Sequence, residues 1–380
     1  MSYILNEMNS KNPRILFFFW LQFVFLALGA THYLSVYFFA VPVFISFLLV
    51  APAVVKLHLK VDVVSAFYVV LILGFFWRNA YNDLIMSLES AKDLVLILYN
   101  FAMTKFFLQV KMGPKSKSAV VYVLVILVFF FGLGRFLGYS SLELSGIIFT
   151  TSSYHMITWF MAILITFMVL QRESVGLQLK IAVVLFLILN LLLGGRTGII
   201  VSTFIATFVF AMSGQRFSRV FYISFASLVT ILVYSLIDFL GDSFFKDIVQ
   251  RGISLGPREI VWLCYYDYLS SETVVFGFNK SDLSHCLPDF FQRATLENSF
   301  YSLQALTGIF SFVLGAILVR RYIMVLADGL LSFVMLSALA FRIFTGEFVF
   351  ITVFDWLYLV CLFQNGRFIR GYCEKNSMRS

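Results

Sequence analysis

The stretch "IAVVLFLILNLLLGGRTGIIVSTFIATFVFAM", residues 181–212, carries a single charge, Arg196, in the turn between two apolar runs. A bilayer core of about 30 Å is crossed by about 20 helical residues at ~1.5 Å each. Each run approaches that length, so the stretch reads as two membrane spans joined by Gly–Gly–Arg–Thr–Gly. A charge at membrane depth costs a few kcal/mol or more, which places Arg196 at the lipid edge and asks what it binds there. The plain answer for one interfacial arginine is that it snorkels to the headgroups.

The rest of the chain extends this reading. Of its 380 residues 61 % are hydrophobic and 13 % charged, more apolar surface than a soluble domain of this length buries. The spacing predicts an all-α, polytopic membrane protein, a single domain over 1–380, with about twelve spans. They fall near 15–31, 33–55, 62–77, 93–110, 119–134, 154–171, 179–193, 197–212, 219–237, 298–319, 322–341 and 347–363. The net charge of +8 invites a nucleic-acid reading, but its distribution points elsewhere. Alternate connections hold Lys11 and Arg14, Lys56 and Lys60, four lysines from Lys105 to Lys117, Arg172 and Lys180, Arg216 and Arg219, Arg320 and Arg321, and a basic tail. Those are 18 of the 28 basic residues, so these connections and both termini are expected in the cytoplasm. The basic flank and apolar run at the N-terminus are read as an uncleaved first span.

The longest polar segment, residues 238–297 between spans nine and ten, then lies on the periplasmic side. It contains short helices. In "GPREIVWLCYYDYL" (256–269), Pro257 suits a first helical position, and Arg258, Trp262, Tyr265 and Leu269 share one face. The start of that helix, with Arg258 beside it, suits an anion. Glu297 and Asn298 stand at the mouth of the next span, Arg196 ends the seventh span, and Arg342 precedes the last. The topology gathers these five residues on one face. Several arginines and a carboxylate at the lipid edge suit a lipid-borne diphosphate and a hydroxyl nucleophile, because the arginine fork binds phosphate oxygens bidentately.

Each residue also has a plainer role. Arg258 can be a solvated charge and Glu297 a helix cap. Trp262 and Tyr265 fit packing more often than sugar platforms. Asp267, Asp289 and Arg293 read as solvated, His285 as structural, and His32 and His155 as interfacial. Cys264 and Cys286 could pair if their loop is extracytoplasmic, but are read as free thiols. No cysteine or histidine spacing indicates a metal, and no cofactor is expected.

Four motifs in order, "GGRTG" (194–198), "GPREIVW" (256–262), "VFGFN" (275–279) and "LENSFYSLQALTG" (296–308), resemble those of the O-antigen polymerase (Wzy-type) and O-antigen ligase superfamily. The motifs fall within residues 194–308, about a third of the chain. Gly277 is not followed by the second glycine of that pattern, and Glu297 stands where ligase-like members tend to carry histidine. The resemblance implies an inner-membrane glycosyltransferase that moves a growing glycan from undecaprenyl diphosphate to a hydroxyl of a new lipid-linked repeat unit. It makes Arg258 and Glu297 catalytic. Arg196, Gly195, Tyr265, Gly277, Asn298 and Arg342 become substrate-binding. Its partners are the lipid-linked oligosaccharide, membrane lipid, a chain-length regulator and a repeat-unit flippase, with no nucleic acid. The sequence has neither a P-loop nor an Asp–x–Asp pair, so neither a nucleoside triphosphate nor a metal-held nucleotide sugar is indicated. The alternatives are the ligase, with a lipid A core acceptor, and a secondary transporter or flippase, for which embedded Asp328 and Asp355 speak.

Overall fold

The computed structural model describes residues 62–82, 88–108, 114–148, 154–170, 176–212, 224, 227–231, 257–279, 282–283, 286, 298–344 and 355–363. Helices and short turns account for almost all of them, and no strand occurs among them. The expected spans at 15–31 and 33–55, and most of 219–237, lie outside the described residues.

The helices are α1 (Val63–Tyr81), α2 (Leu88–Phe107), α3 (Pro114–Phe136), α4 (Ser141–Ile148), α5 (Tyr154–Leu170), α6 (Leu177–Leu193) and α7 (Arg196–Met212). Then come α8 (Pro257–Tyr268), α9 (Ser271–Phe276), α10 (Ser299–Thr307), α11 (Phe310–Asp328), α12 (Leu330–Phe344) and α13 (Asp355–Phe363). Among the described residues two stretches, Val63–Tyr81 and Ser118–Phe136, are long and apolar enough to cross a membrane. Helix α3 turns Tyr122, Ile126, Phe129, Leu133 and Phe136 outward, an apolar stripe that in water would carry a large hydration penalty.

Local chemistry sets the ends. Asp62 caps α1, its carboxylate accepting from Ser65 N at 2.9 Å and pairing with Lys105 Nζ at 2.6 Å. Burial alone would raise the Asp62 pKa, but the bonds from Lys105 and Ser65 hold it below the usual carboxylate range. The pair fastens the start of α1 to the end of α2, so the two run antiparallel. Gly194 ends α6 in the left-handed region, φ 71°, as a residue without Cβ does readily. Two residues later α7 begins. Helix α4 was not expected from hydropathy. Its signal is polar: Ser140 and Glu143 cap one another, the Glu143 carboxylate accepting from Ser140 N at 2.7 Å and Ser140 Oγ from Glu143 N at 3.2 Å.

Two expected boundaries are corrected. The span read at 298–319 is broken at Gly308 into α10 and α11. Arg320 and Arg321, read as a connecting loop, lie inside α11, and the turn comes at Gly329 instead. Arg321 is 6 % exposed and donates from Nε to the Leu362 carbonyl at 2.7 Å. It thereby satisfies one of the open carbonyls at the end of α13. A charge that finds a buried helix end need not mark a loop, which is why the hydropathy minimum misplaced the turn.

Candidate functional site

Helix α8 folds onto α10 through an aromatic and aliphatic patch of its own. Val261, Cys264 and Tyr265, one helical face of α8, close a small core with Phe278, Leu283 and Ala305. Ile260, Leu263 and Tyr266 remain exposed on the other face. Cys264 and Cys286 form a disulfide across this segment, their Cα atoms 5.7 Å apart, which corrects the free-thiol reading. Sequence alone could not pair them, because the bond depends on α8 turning Cys264 toward the turn that holds Cys286.

A pair of glycines then fixes the segment to the break in the helical span. Gly277 has φ +76° and Gly308 φ +54°. Phe278 N donates to Ala305 O at 2.9 Å, and Ile309 N to Val275 O at 3.0 Å. A Cβ on Gly277 would stand 2.5 Å from Ala305 O, and one on Gly308 would collide with Val275 O. Each glycine therefore lets the other's backbone approach. Gln304 Nε2 donates to Thr273 O at 3.0 Å, and Trp77 Nε1 to Val275 O at 3.2 Å. The Phe276 ring stacks on Trp77 and Tyr81, at 5.5 and 3.9 Å between centroids. This joins the end of α1 to the same clamp.

Above the clamp runs a ladder of rings. Tyr265 stacks on Tyr301 at 4.3 Å, Trp262 meets Tyr301 edge-on at 6.1 Å, and Trp262 meets Phe344 at 5.8 Å. Trp262 thus connects α8, the first turns of α10 and the last turn of α12. Phe208, late in α7, packs against Val334, early in α12, so these two helices touch as well.

The positions singled out in the sequence can now be placed. Arg258 lies one turn before Trp262 on α8, Arg342 in the last turn of α12 two residues before Phe344, and Arg196 opens α7. Their side chains, and Glu297 altogether, lie outside the described residues, as do His285, Asp289 and Arg293. The described backbone nevertheless brings together the helices that carry Arg258, Asn298 and Arg342, where Trp262 meets Tyr301 and Phe344. Gly195 is buried in the turn that leads to Arg196.

Three roles change. Gly277 serves the clamp with Gly308. Tyr265 is a packing residue: it is buried, stacks on Tyr301 and donates its hydroxyl to Gln304 Oε1 at 2.9 Å. Burial, with Tyr266 second, pushes its phenol up to about 12, so it stays protonated in ordinary buffers. Asn298 is the N-cap of α10. Its side-chain oxygen accepts from Phe300 N at 2.8 Å and Tyr301 N at 3.3 Å, and so is not free for a sugar or for Glu297.

Sequence reasoning passed over Arg78 and Asn79. Arg78 is 8 % exposed, near the end of α1, and its guanidinium donates to Asn79 Oδ1 at 3.3 Å. The available signal was an arginine and an asparagine on the buried face that Tyr68, Leu71 and Phe75 continue at helical spacing. The "GGRTG" glycines also gain separate reasons. Gly198 leaves room for Asn190, whose Oδ1 accepts from Thr158 Oγ1 at 2.8 Å inside the bundle. Among the described residues no group of His, Cys, Asp or Glu side chains could hold a metal ion. Compared with known proteins, the chain matches no family model, no curated protein and no solved structure.

Proposed function

We propose that this chain is a multi-pass inner-membrane glycosyltransferase, a surface-polysaccharide polymerase working on the periplasmic face with both termini in the cytoplasm. The observation that supports the reading is the junction just described, where the start of α10, the end of α12 and the disulfide-closed α8 meet. Disulfides persist on the oxidising side of a membrane, which suits a periplasmic α8.

In this reading Arg196 and Arg258, assisted by Arg342, hold the diphosphate of an undecaprenyl-linked glycan. The acceptor hydroxyl oxygen attacks the donor's anomeric carbon. The bond from that carbon to the phosphate oxygen breaks, undecaprenyl diphosphate leaves with the electron pair, and Glu297 takes the hydroxyl proton. Arginine stabilises the departing charge, and a carboxylate can serve as the base.

Arg258→Ala should abolish chain extension on lipid-linked repeat units at normal protein levels, and Arg258→Lys should restore little, since lysine lacks the fork. Full extension by Arg258→Ala would return that residue to a solvated surface. Deletion of the gene should leave lipopolysaccharide with core plus one repeat unit. Core alone would mean a ligase. One observation favours a transporter as the second reading: Asp355 is buried in the bundle at the start of α13, where Trp356 N donates to Asn100 Oδ1 at 3.2 Å. A transporter would lose function in Asp355→Asn and keep it in Arg258→Ala.

A further inference from the structure

The break at Gly308 leaves α10 as a nine-residue half-helix whose first turn is enclosed. Asn298 is 0 % exposed and Ser302 1 % exposed. They are one turn apart, Ser302 N donating to Asn298 O at 3.1 Å. The Asn298 side-chain oxygen is taken by the N–H groups of Phe300 and Tyr301, which fixes the orientation of the amide and leaves its nitrogen as a pure donor. Asn298 Nδ2 has no hydrogen-bond partner among the described residues, nor has Ser302 Oγ. The same pattern recurs on α1, which packs along α10: Asn79 Oδ1 accepts from Arg78, and Asn79 Nδ2 is unpartnered.

A buried donor without a partner costs about 1–3 kcal/mol, and native proteins keep few of them. Here both asparagines have spent their oxygens and kept their nitrogens. What is missing is therefore an acceptor. The start of a helix adds its positive dipole end.

We propose that the enclosed start of α10 is an oxyanion-binding site in which Asn298 Nδ2 and Ser302 Oγ are donors. The ligand is a phosphate-type anion, borne by a polyprenyl lipid or free in solution. The site deepens the transferase reading and rests on it for the identity of the lipid. It gives Asn298 a contact with the diphosphate where the sequence suggested a contact with sugar.

The test measures binding without sugar transfer. Purified full-length chain in nanodiscs is titrated calorimetrically with inorganic pyrophosphate, farnesyl diphosphate and farnesol. Both diphosphates should bind and farnesol should not. Equal affinity for the two diphosphates assigns the site to the anion alone, and tighter farnesyl diphosphate binding assigns it to a lipid-borne headgroup. Asn298→Ser and Asn298→Asp both keep a capping oxygen. Serine removes the Nδ2 donor, and aspartate also adds a negative charge. Each should weaken diphosphate binding by about tenfold or more, aspartate more than serine, with the melting temperature unchanged. Ser302→Ala, which touches no cap, should weaken it several-fold.

Wild-type chain that binds neither diphosphate, or binds farnesol as well as farnesyl diphosphate, overturns the site. So does Asn298→Asp that binds like wild type. Should the Asn298 variants melt early, Ser302→Ala decides: unchanged affinity there overturns the site. Variants that bind normally yet fail to extend chains would count against this site and leave the transferase standing. Normal binding by a wild-type chain that never transfers sugar would do the reverse.

Discussion

Replacing Gly308 by alanine tests the clamp that organises the proposed face. Its φ of +54° costs an L-residue about 1–2 kcal/mol. The new Cβ would also collide with Val275 O and stand 2.7 Å from the Phe276 carbonyl carbon and 2.8 Å from Gly277 N, all backbone atoms that cannot swing aside. Relief requires the two chains to part. That breaks the bonds from Ile309 N and Trp77 Nε1 to Val275 O and the bond from Phe278 N to Ala305 O. At about 1 kcal/mol per bond, with the φ strain added, the local cost is about 4–5 kcal/mol. The assay is hydrogen exchange on the purified protein. Amides of Phe278 and Ile309 should lose protection by about three powers of ten, since ~1.4 kcal/mol is a factor of ten. Gly315→Ala is the control. Its Cβ would meet nothing within 4 Å inside α11, so it should be neutral or stabilise by up to about 1 kcal/mol. Unchanged protection at Phe278 and Ile309 in Gly308→Ala would refute the clamp.

Further outcomes follow from the same geometry. Alkylation of the denatured, unreduced chain should label Cys361 but neither Cys264 nor Cys286. Labelling of all three would deny the disulfide. Thr158→Val removes the donor to buried Asn190 Oδ1 and should cost about 1 kcal/mol in a detergent melt, while Gly198→Ala, whose Cβ would run into that oxygen, should cost about 1–3. Tyr265→Phe keeps the stack on Tyr301 and loses only the bond to Gln304, so chain extension should persist with stability lower by about 1 kcal/mol. A large loss of turnover would restore Tyr265 to substrate contact. Asp62 has a depressed folded pKa, so its contribution is present above the unfolded value near 3.9 and is lost as pH falls through the folded one. Asp62→Asn should therefore flatten the acid limb of the melting profile below about pH 4 and cost at most about 1 kcal/mol above it, because the Asp62 carboxylate is half exposed.

Several features were legible before any coordinates. The runs at 62–77, 119–134, 154–171, 179–193 and 197–212 each lie within a few residues of a helix, because apolar length is a local property. Pro257 opens α8 as its fixed φ requires.

What the sequence by itself determined is thus the helical character and most helix positions. Both depend on hydropathy and charge within one or two turns. Tertiary structure alone decided the rest. Gly277 reads as half of a local turn motif, yet its partner is Gly308, in another helix, because close backbone approach is a property of two chains in contact. Cys264 found Cys286 only once α8 had lain down on α10. Arg321 stayed inside a helix because the open end of α13 reached it across the bundle. Asn298 looked like a ligand at the mouth of a span. It became a cap with one amide nitrogen left over because its side-chain oxygen turns back onto the N–H groups of Phe300 and Tyr301.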